Sequence, residues 1–319
     1  MTSNGGWRRW YPVAGVLVGI IYGLALRLIA TSRIAGPIMM LGYLVGGPYA
    51  LGFLSVFVVE NNRSCRSRDW LFLPWAPLTG ALLGAILALL EGWICVVLFA
   101  PIGYALASAG GVTGGGAARA LRTRRSKGVT MVCVAVLPFC IVPWEGPVFF
   151  RLEIRRVEST IDIHASPGVV WRNLARVPPI HTEELPASWG RRIGLPGPIE
   201  TTLSQEGVGG VRRASFEGGV VFVDTVDVWE PAQRLGFSMR PVRVPRETLD
   251  EHVTVGGDYF DVIRGDYRLE PLANGVTRVH LSSQYRLSTD FNWYAHLWTD
   301  AAIANSHWTI LSVIRRRCE

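Results

Sequence analysis

Five apolar runs in the first half of the chain constrain its fold more than any other feature. They cover residues 10–30, 37–59, 70–90, 93–109 and 129–144. A helix needs about 20 mainly apolar residues to cross a bilayer. The first run is longer than the apolar core of a signal peptide, and no small-x-small cleavage site follows it, so we expect a retained helix. The sequence therefore predicts an all-α transmembrane bundle of about five helices over residues 1–150.

Glycines recur at helical spacing within these runs. The spaced sets are Gly15, Gly19 and Gly23, then Gly42 and Gly46, then Gly80 and Gly84. Because lipid provides no hydrophobic force between helices, such small residues favour close helix packing. No ionisable residue lies in the middle of a run, and we expect Glu60 and Glu91, at the ends of runs, to be reached by water. A compact bundle is therefore favoured over a pump or a channel.

Positive charge is concentrated in the apolar half. Fifteen Arg or Lys and five Asp or Glu precede Val157, whereas seventeen and twenty follow it. The cations between spans form three clusters, which are Arg8 and Arg9, then Arg63, Arg66 and Arg68, then Arg119, Arg122, Arg124, Arg125 and Lys127. Five spans place all three clusters on one side, which is cytoplasmic by the positive-inside rule. We expect an integral protein of a bacterial plasma membrane, with the C-terminal half extracytoplasmic.

Two features leave this placement open. Arg151, Arg155 and Arg156 follow the fifth run and count against it, and the placement reverses if only one of the third and fourth runs crosses the membrane. The second half carries no basic stripe, so nucleic-acid binding is disfavoured. Membrane lipids are the expected partners of the first half, and the sequence indicates no protein partner.

Neither the cysteines nor the glycine-rich segment indicates a cofactor. The five cysteines form no C-x-x-C pair, and the later half contains only Cys318, so the sequence predicts no internal disulfide there and no metal site. The glycine-rich stretch at 108–120 lacks the spacing of a phosphate-binding loop. We interpret it as a flexible linker that ends the fourth span.

From Val157 the apolar pattern changes from helical to alternating, which predicts a strand. Ser166 is a suitable N-cap for a helix that ends near Arg176, and Pro167 suits its first turn. The remaining strands are predicted over 199–205, 211–217, 220–229, 235–240, 259–269 and 276–287. A long helix from 291 to about 316 follows, with Asp290 as its cap.

Three motifs in this half carry a family resemblance. They are "STIDIHASPGVVW" at 159–171, "GVGGVRRASFEGG" at 207–219 and "VDVWEP" at 226–231. With the order of elements, they resemble the SRPBCC (START/Bet v1-like) superfamily, and within it the polyketide cyclase/dehydrase and lipid-transport group. The resemblance implies an α+β helix-grip domain over residues 157–319, with a curved antiparallel sheet around a long C-terminal helix. It also implies an apolar cavity for a ligand.

The last helix contains the candidate catalytic residues. At 100° per residue, one broad face is apolar apart from three polar side chains, so we expect it to face the sheet. The polar members are His296, Asp300 and His307, and the cavity candidates on the same face are Trp293 and Ile303. His296 and Asp300 are four residues apart and could form a general base. A satisfied buried polar pair is the alternative, and it is favoured.

Strand alternation supplies further candidates for the cavity. Tyr259, Asp261 and Tyr267 share one face of their strand, and Tyr285 lies on the apolar face of the next. The tyrosines could present hydroxyls to a ligand or belong to an ordinary core. Residues 241–257 are too long for a tight hairpin and could form either a flap over the cavity or a surface loop.

Three functions are consistent with this pattern. The leading hypothesis is binding or transfer of a hydrophobic ligand, such as a lipid, an isoprenoid or a polyketide-like molecule. The second is a cyclase or dehydratase that uses His296, Asp300 and a tyrosine. The third is a structural or sensory envelope protein, which a filled interior would favour.

Overall fold

The computed structural model describes residues 11–31, 42–62, 64–90, 92–122, 127–149, 152–244, 255–257, 259–289 and 291–319. The chain divides into two compact units, Met1–Phe150 and Arg151–Glu319. Some residues named above lie outside the described ranges, namely Arg8, Arg9, Arg63, Glu91, Arg124, Arg125, Arg151 and Asp290. Residues 245–254 of the segment interpreted as a flap or loop also lie outside them.

The first unit is helical. Its described helices are α1 (Tyr11–Thr31), α2 (Gly47–Asn62), α3 (Ser67–Phe72), α4 (Trp75–Leu87), α5 (Trp93–Ala120) and α6 (Lys127–Phe149). A π-helical turn, Gly42–Gly46, leads into α2. Within the described ranges, four segments are long and apolar enough to cross a membrane: Pro12–Ile29, Gly42–Asn62, Ser67–Leu87 and Trp93–Ala120. The apolar stretch of α6, Lys127–Ile141, is shorter. These segments suggest a membrane protein.

The glycine-rich stretch at 108–120 is not a linker, as the sequence indicated, but the second half of α5. Two of its glycines, Gly110 and Gly114, lie against α2, where a Cβ would collide with the carbonyl oxygen of Tyr49 or Phe53, respectively. A Cβ at Gly52, on α2, would collide in turn with the carbonyl oxygen of Ala107. Backbone hydrogen bonds favour the helix wherever water is scarce, and the missing side chains allow the two backbones to approach closely.

Glu60 is buried, although its position at the end of a run predicted contact with water. Its side chain is 1% exposed. The carboxylate accepts hydrogen bonds from Arg119 Nε at 3.0 Å, Trp70 Nε1 at 3.0 Å and the Cys65 backbone N–H at 2.8 Å. The Arg119 guanidinium also lies 4.2 Å from the centroid of the Trp70 ring. This cluster joins the end of α2 to the end of α5.

The second unit is a single antiparallel sheet with helices. Among the described residues, its strands are β1 (Glu153–Ile163), β2 (Pro198–Leu203), β3 (Val211–Phe216), β4 (Val221–Glu230), β5 (Arg234–Arg243), β6 (Phe260–Pro271) and β7 (Thr277–Leu287). Their spatial order is β1-β7-β6-β5-β4-β3-β2. Helices α7 (Pro167–Ala175) and α8 (Trp189–Arg192) connect β1 to β2, and α9 (Asn292–Cys318) follows β7. The predicted antiparallel sheet with a long C-terminal helix is confirmed.

The main core lies between the sheet, α7 and α9. Helix α9 packs against β1, β7, α7 and α8. Buried apolar side chains from each layer meet there, including Ile163, Trp171, Leu235, Leu281 and Leu311. We use "inner face" for the side of the sheet that carries Ser283 and Tyr285. Helix α9 covers the inner face of β1 and β7, whereas apolar side chains cover that of β3 to β5.

The glycine contacts of α5 give a matched pair of substitutions. Gly110→Ala should lower the free energy of unfolding of the first unit by about 1–3 kcal/mol, because the new methyl group must separate α5 from α2. Gly116→Ala is the control, since a Cβ at Gly116 meets nothing within 4 Å. It should be neutral or stabilise by up to about 1 kcal/mol. Thermal denaturation in detergent, followed by size-exclusion chromatography, measures both; equal effects would contradict the close packing.

Candidate functional site

Asp300 joins α9 to two strands of the sheet. Its Oδ1 accepts a hydrogen bond from the Tyr285 hydroxyl at 2.5 Å, and its Oδ2 accepts one from Arg155 Nη2 at 3.3 Å. Arg155 also donates to Glu153 at 2.9 Å. Burial and this carboxylate raise the pKa of the Tyr285 hydroxyl above its ordinary range. Two of the residues named from the sequence, Asp300 and Tyr285, are therefore direct partners.

His296 is not a partner of Asp300. Its Nδ1 is 2.7 Å from the backbone carbonyl oxygen of Asn292, one turn earlier in α9, and donates to it. The oxygens of Asp300 bind Tyr285 and Arg155 instead. The spacing of four residues permitted the predicted histidine–carboxylate pair, but the sheet supplies other partners to the carboxylate.

His307 is a buried bridge between α9 and the sheet. Its Nε2 lies 2.8 Å from Ser283 Oγ and its Nδ1 lies 3.2 Å from Ser159 Oγ. The residue is 3% exposed, and burial lowers the pKa of its imidazole to about 4. The ring is therefore neutral at physiological pH, with one nitrogen donating and the other accepting.

A β-bulge at Ile263 divides β6 into two phases. Val262 pairs with Tyr285 and Arg264 pairs with Gln284, so one extra residue lies between them. Tyr267 stays on the inner face, but Phe260 and Val262 take the inner positions where the sequence alternation placed residues 259 and 261. Asp261 pairs with Arg286 on the opposite face, and burial raises the pKa of its carboxyl. Tyr259 accepts a hydrogen bond from Ser288 N at its carbonyl oxygen.

The two remaining candidates on α9 have different surroundings. Ile303 is buried and packs with Tyr285 and Leu287. Trp293 is 57% exposed, although it lies only about 20° around the helix from Asp300, which contacts the sheet. Four of the cavity candidates, Tyr267, Tyr285, Ile303 and His307, are therefore buried in the structure.

An ion pair that the sequence interpretation missed lies on the inner face. Arg212 on β3 and Asp224 on β4 are directly opposite in register, and their side chains are 4% and 2% exposed. Arg212 Nη1 is 3.7 Å from Asp224 Oδ2, and Arg212 Nη2 donates to the Leu174 carbonyl oxygen at 3.1 Å. The guanidinium lies 4.5 Å from the centroid of the Phe237 ring, and the Tyr267 ring is 6.2 Å from Phe237.

This ion pair is incompletely satisfied. Among the described residues, Arg212 Nε and Asp224 Oδ1 are buried atoms without a hydrogen-bond partner. Burial raises the pKa of the Asp224 carboxyl to about 6, and the attraction of the Arg212 guanidinium, 3.7 Å away, offsets only part of this effect. Burial also raises the pKa of the Tyr267 hydroxyl. One buried donor on Arg212 and one buried acceptor on Asp224, on neighbouring strands, therefore lack partners among the described residues.

A narrow crevice lies between α9, the segment before β2 and the end of β3. Its walls include Leu195, Phe216, Asn305, Thr309 and Ile310, and its volume is about 10 Å³. It adjoins an open groove of about 400 Å³, whose lining includes Arg191, Arg192 and Glu217. Phe216 packs in one apolar cluster with Ala214 and Phe222. Ala214 is two residues from Arg212 on β3, and Phe222 is two residues from Asp224 on β4. The crevice holds about one water molecule, so the described interior is closed.

Comparisons with known proteins find similar folds at low identity. No family model matches the chain, and no curated protein matches it. Among solved structures, the Zhui aromatase/cyclase from Streptomyces sp. R1128 is 17% identical, over 52% of this chain and 94% of that chain, with a TM-score of 0.33. A START superfamily protein from Mycobacterium smegmatis is 10% identical, over 51% and 96%, with a TM-score of 0.34.

DynU16, a protein of the dynemicin biosynthetic locus, is 16% identical, over 50% of this chain, with a TM-score of 0.31. The chain spans about half of its length, 46%. The aromatase/cyclase and the START superfamily protein belong by their titles to the groups that the sequence motifs resemble. Similarities of this strength carry no functional argument for the present chain.

The pKa values of His307 and Asp224 predict opposing effects of pH on stability. The unfolded His307 binds more protons than the folded one between pH 6.5 and about 4, so its contribution to stability is lost as pH falls through this interval. Folded Asp224 binds more protons than the unfolded residue between about pH 6 and 3.8, so its contribution rises as pH falls. Each effect reaches about 3 kcal/mol.

Single substitutions should separate the two effects. Relative to the natural chain between pH 6.5 and 4.5, Asp224→Asn should make the free energy of unfolding fall more steeply with acidification, and His307→Gln should make it fall less steeply or rise. Hydrogen exchange of β7 peptides in increasing urea measures these slopes in the full chain. Identical pH profiles for the three proteins would contradict the assignment.

Proposed function

We propose that the second unit binds an amphipathic hydrophobic ligand on the inner face of its sheet, while the helices of the first unit anchor it in a membrane. The observation that carries this proposal is the pair of partnerless buried atoms, Arg212 Nε and Asp224 Oδ1. The ligand belongs to the lipid, isoprenoid or polyketide-like molecules.

The energetic argument concerns these two polar atoms. A buried polar group without a partner costs about 1–3 kcal/mol, so native proteins rarely keep one without a reason. A ligand group that both donates and accepts, such as a hydroxyl or a hydroxyketone, satisfies Asp224 Oδ1 and Arg212 Nε together. The charges of the pair cancel, which favours a neutral polar end over a carboxylate or a phosphate. The apolar side chains around it, Phe237 and Val226 among them, suit the rest of the ligand.

Entry requires the crevice to widen. A space of about 10 Å³ admits no hydrophobic ligand, so Phe216 and the segment around Leu195 and Pro196 must move away from Ile310. That segment is irregular in structure and lies between α8 and β2. If the interior never opens, the third hypothesis from the sequence, a structural or sensory protein without a ligand, is favoured instead.

A double substitution tests the ligand site without leaving a buried charge. Arg212→Met with Asp224→Leu replaces the pair by apolar groups of similar size, which is often neutral for stability. It should lower ligand affinity about tenfold to a hundredfold, because two hydrogen bonds are lost. Native mass spectrometry of the full chain, released from detergent, measures the fraction of molecules that carry a ligand.

The matched control lies on the same two strands. Arg213 and Thr225 are exposed on the outer face, so Arg213→Met with Thr225→Leu should leave the occupied fraction unchanged. A natural chain without any bound molecule, or a double variant of the inner face that keeps full occupancy, would contradict the proposed site.

A second candidate function, a cyclase or dehydratase, is favoured by one observation. The short hydrogen bond between Tyr285 and Asp300, with Arg155 beside it, provides a proton donor and an acceptor in contact. Asp224, whose pKa is raised to about 6, is a further acid–base group near neutral pH. The two functions differ in the fate of the ligand: a carrier returns it chemically unchanged, a dehydratase returns a product lighter by one water, and a cyclase returns an isomer of the same mass that chromatography separates.

We propose an extracytoplasmic position for the second unit. Arg119 contacts Glu60, and Arg122 contacts Ser64 at 2.6 Å, so the cationic ends of α2 and α5 lie together. Arg27 donates to the Leu90 carbonyl oxygen, which places the ends of α1 and α4 together. Successive helix ends therefore alternate between a cationic side and the opposite side. By the positive-inside rule, α6 then begins on the cytoplasmic side and ends on the other.

Labelling of a single cysteine tests this position. In a chain without its native cysteines, Thr225→Cys should react with a membrane-impermeant maleimide in intact spheroplasts, because Thr225 is exposed. Labelling only after the cells are lysed would place the unit in the cytoplasm.

A further inference from the structure

The outer side of α9 exposes an apolar stripe. Its members are Trp293, Leu297, Ala301, Ala304 and Trp308. Trp293, Leu297 and Trp308 are 57%, 56% and 46% exposed, and the two alanines are partly exposed. These residues fall within an arc of about 80° and extend over about 22 Å of helix. We call them the outer stripe.

The outer stripe is unusual because the side of α9 that faces the sheet is apolar as well. Ile303 and Ile314, about 120° and 100° around the helix from the centre of the stripe, are buried there. A helix on the surface of a soluble domain normally has one apolar face, and its other face is polar. Large exposed apolar residues in a row mark a surface that binds something.

The first residues of the outer stripe lie at the end of the second unit where β1 begins. Three contacts along α9 give its direction: Asp300 with Arg155, His307 with Ser159, and Glu319 with His164. Helix α9 therefore runs in the same direction as β1, and its first turns lie near the start of that strand. Leu152 follows Phe149, the last residue of α6, by three positions, a reach of about 10 Å of extended chain.

We infer that the outer stripe lies in the headgroup layer of the bilayer and holds α9 along the membrane surface. This inference rests on the membrane anchoring in the proposed function, but not on ligand binding. Tryptophan favours the membrane interface, and a helix with Trp and Leu along one side binds there. A second copy of the chain is a poorer occupant, because a stable protein interface needs about 20–30 residues from each partner.

Fluorescence quenching by lipids tests the inference. Leu297→Cys, in a chain without its native cysteines, carries a bimane label in nanodiscs that contain lipids brominated near the headgroup. Thr225→Cys on the outer face of β4 is the water-exposed control. Leu17→Cys, exposed on α1, reports membrane insertion. We expect strong quenching at positions 297 and 17, with at least a threefold smaller effect at position 225.

Each other outcome has a distinct meaning. Quenching at position 17 but not at 297 would overturn the inference and leave the anchor intact. A label at 297 that is shielded from water but not quenched by lipid would assign the stripe to a protein contact and also overturn it. Loss of quenching at both positions would overturn the anchoring itself, and with it the inference.

A second measurement uses the unmodified chain, in case the cysteine-free variants fail to fold. In nanodiscs, hydroxyl radicals should oxidise Trp293 and Trp308 several-fold more slowly than the exposed fractions of their side chains predict. Trp189 on α8 is the internal reference, since it is 40% exposed and lies outside the stripe. Oxidation of Trp293 and Trp308 at the rate of Trp189 would contradict the inference.

Discussion

The attachment of α9 to one side of the sheet is the constraint on which the second unit depends. Asp300 and His307 fix the helix to β1 and β7 through hydrogen bonds to hydroxyl and guanidinium groups. These bonds are specific in direction, so they set the position of the helix more strictly than apolar packing does. Because α9 is held over β1 and β7, it does not cover the inner face of β3 to β5, which belongs to the core that the sheet shares with α7.

The two units satisfy their buried charges differently. In the first unit, the Glu60 carboxylate receives hydrogen bonds from Arg119, Trp70 and the backbone, and the cluster fixes the ends of two helices. In the second unit, Arg212 and Asp224 are equally buried but leave one donor and one acceptor without partners. A complete network is explained by stability alone. An incomplete one in an apolar interior favours a role in binding, which is why the proposed function rests on this pair.

The sequence predicted most of the fold because hydrophobic periodicity determines it. The alternating pattern from Val157 and the turn residues gave the strands of the second unit nearly at their observed bounds. The glycines at 108–120 misled the interpretation, since glycine favours flexible linkers in water but close helix contacts between apolar helices. The flanking apolar residues of that run were the signal for a helix.

The candidate site was less predictable because it depends on register and on competition between partners. One extra residue, Ile263, changes the phase of β6, and no local pattern marked it. Asp300 had several possible partners, and only the folded sheet selects Tyr285 and Arg155 over His296. On β3, Val211 is exposed and Arg212 is buried, so hydrophobicity alone does not mark the inner face of this strand.

A crystal structure of the full chain, purified without removing bound lipids, tests the central claim most directly. The account predicts non-protein electron density on the inner face, within hydrogen-bond distance of Arg212 Nε and Asp224 Oδ1, with Phe216 displaced from Ile310. An interior filled by protein side chains, with both atoms bonded only to ordered water, would contradict it.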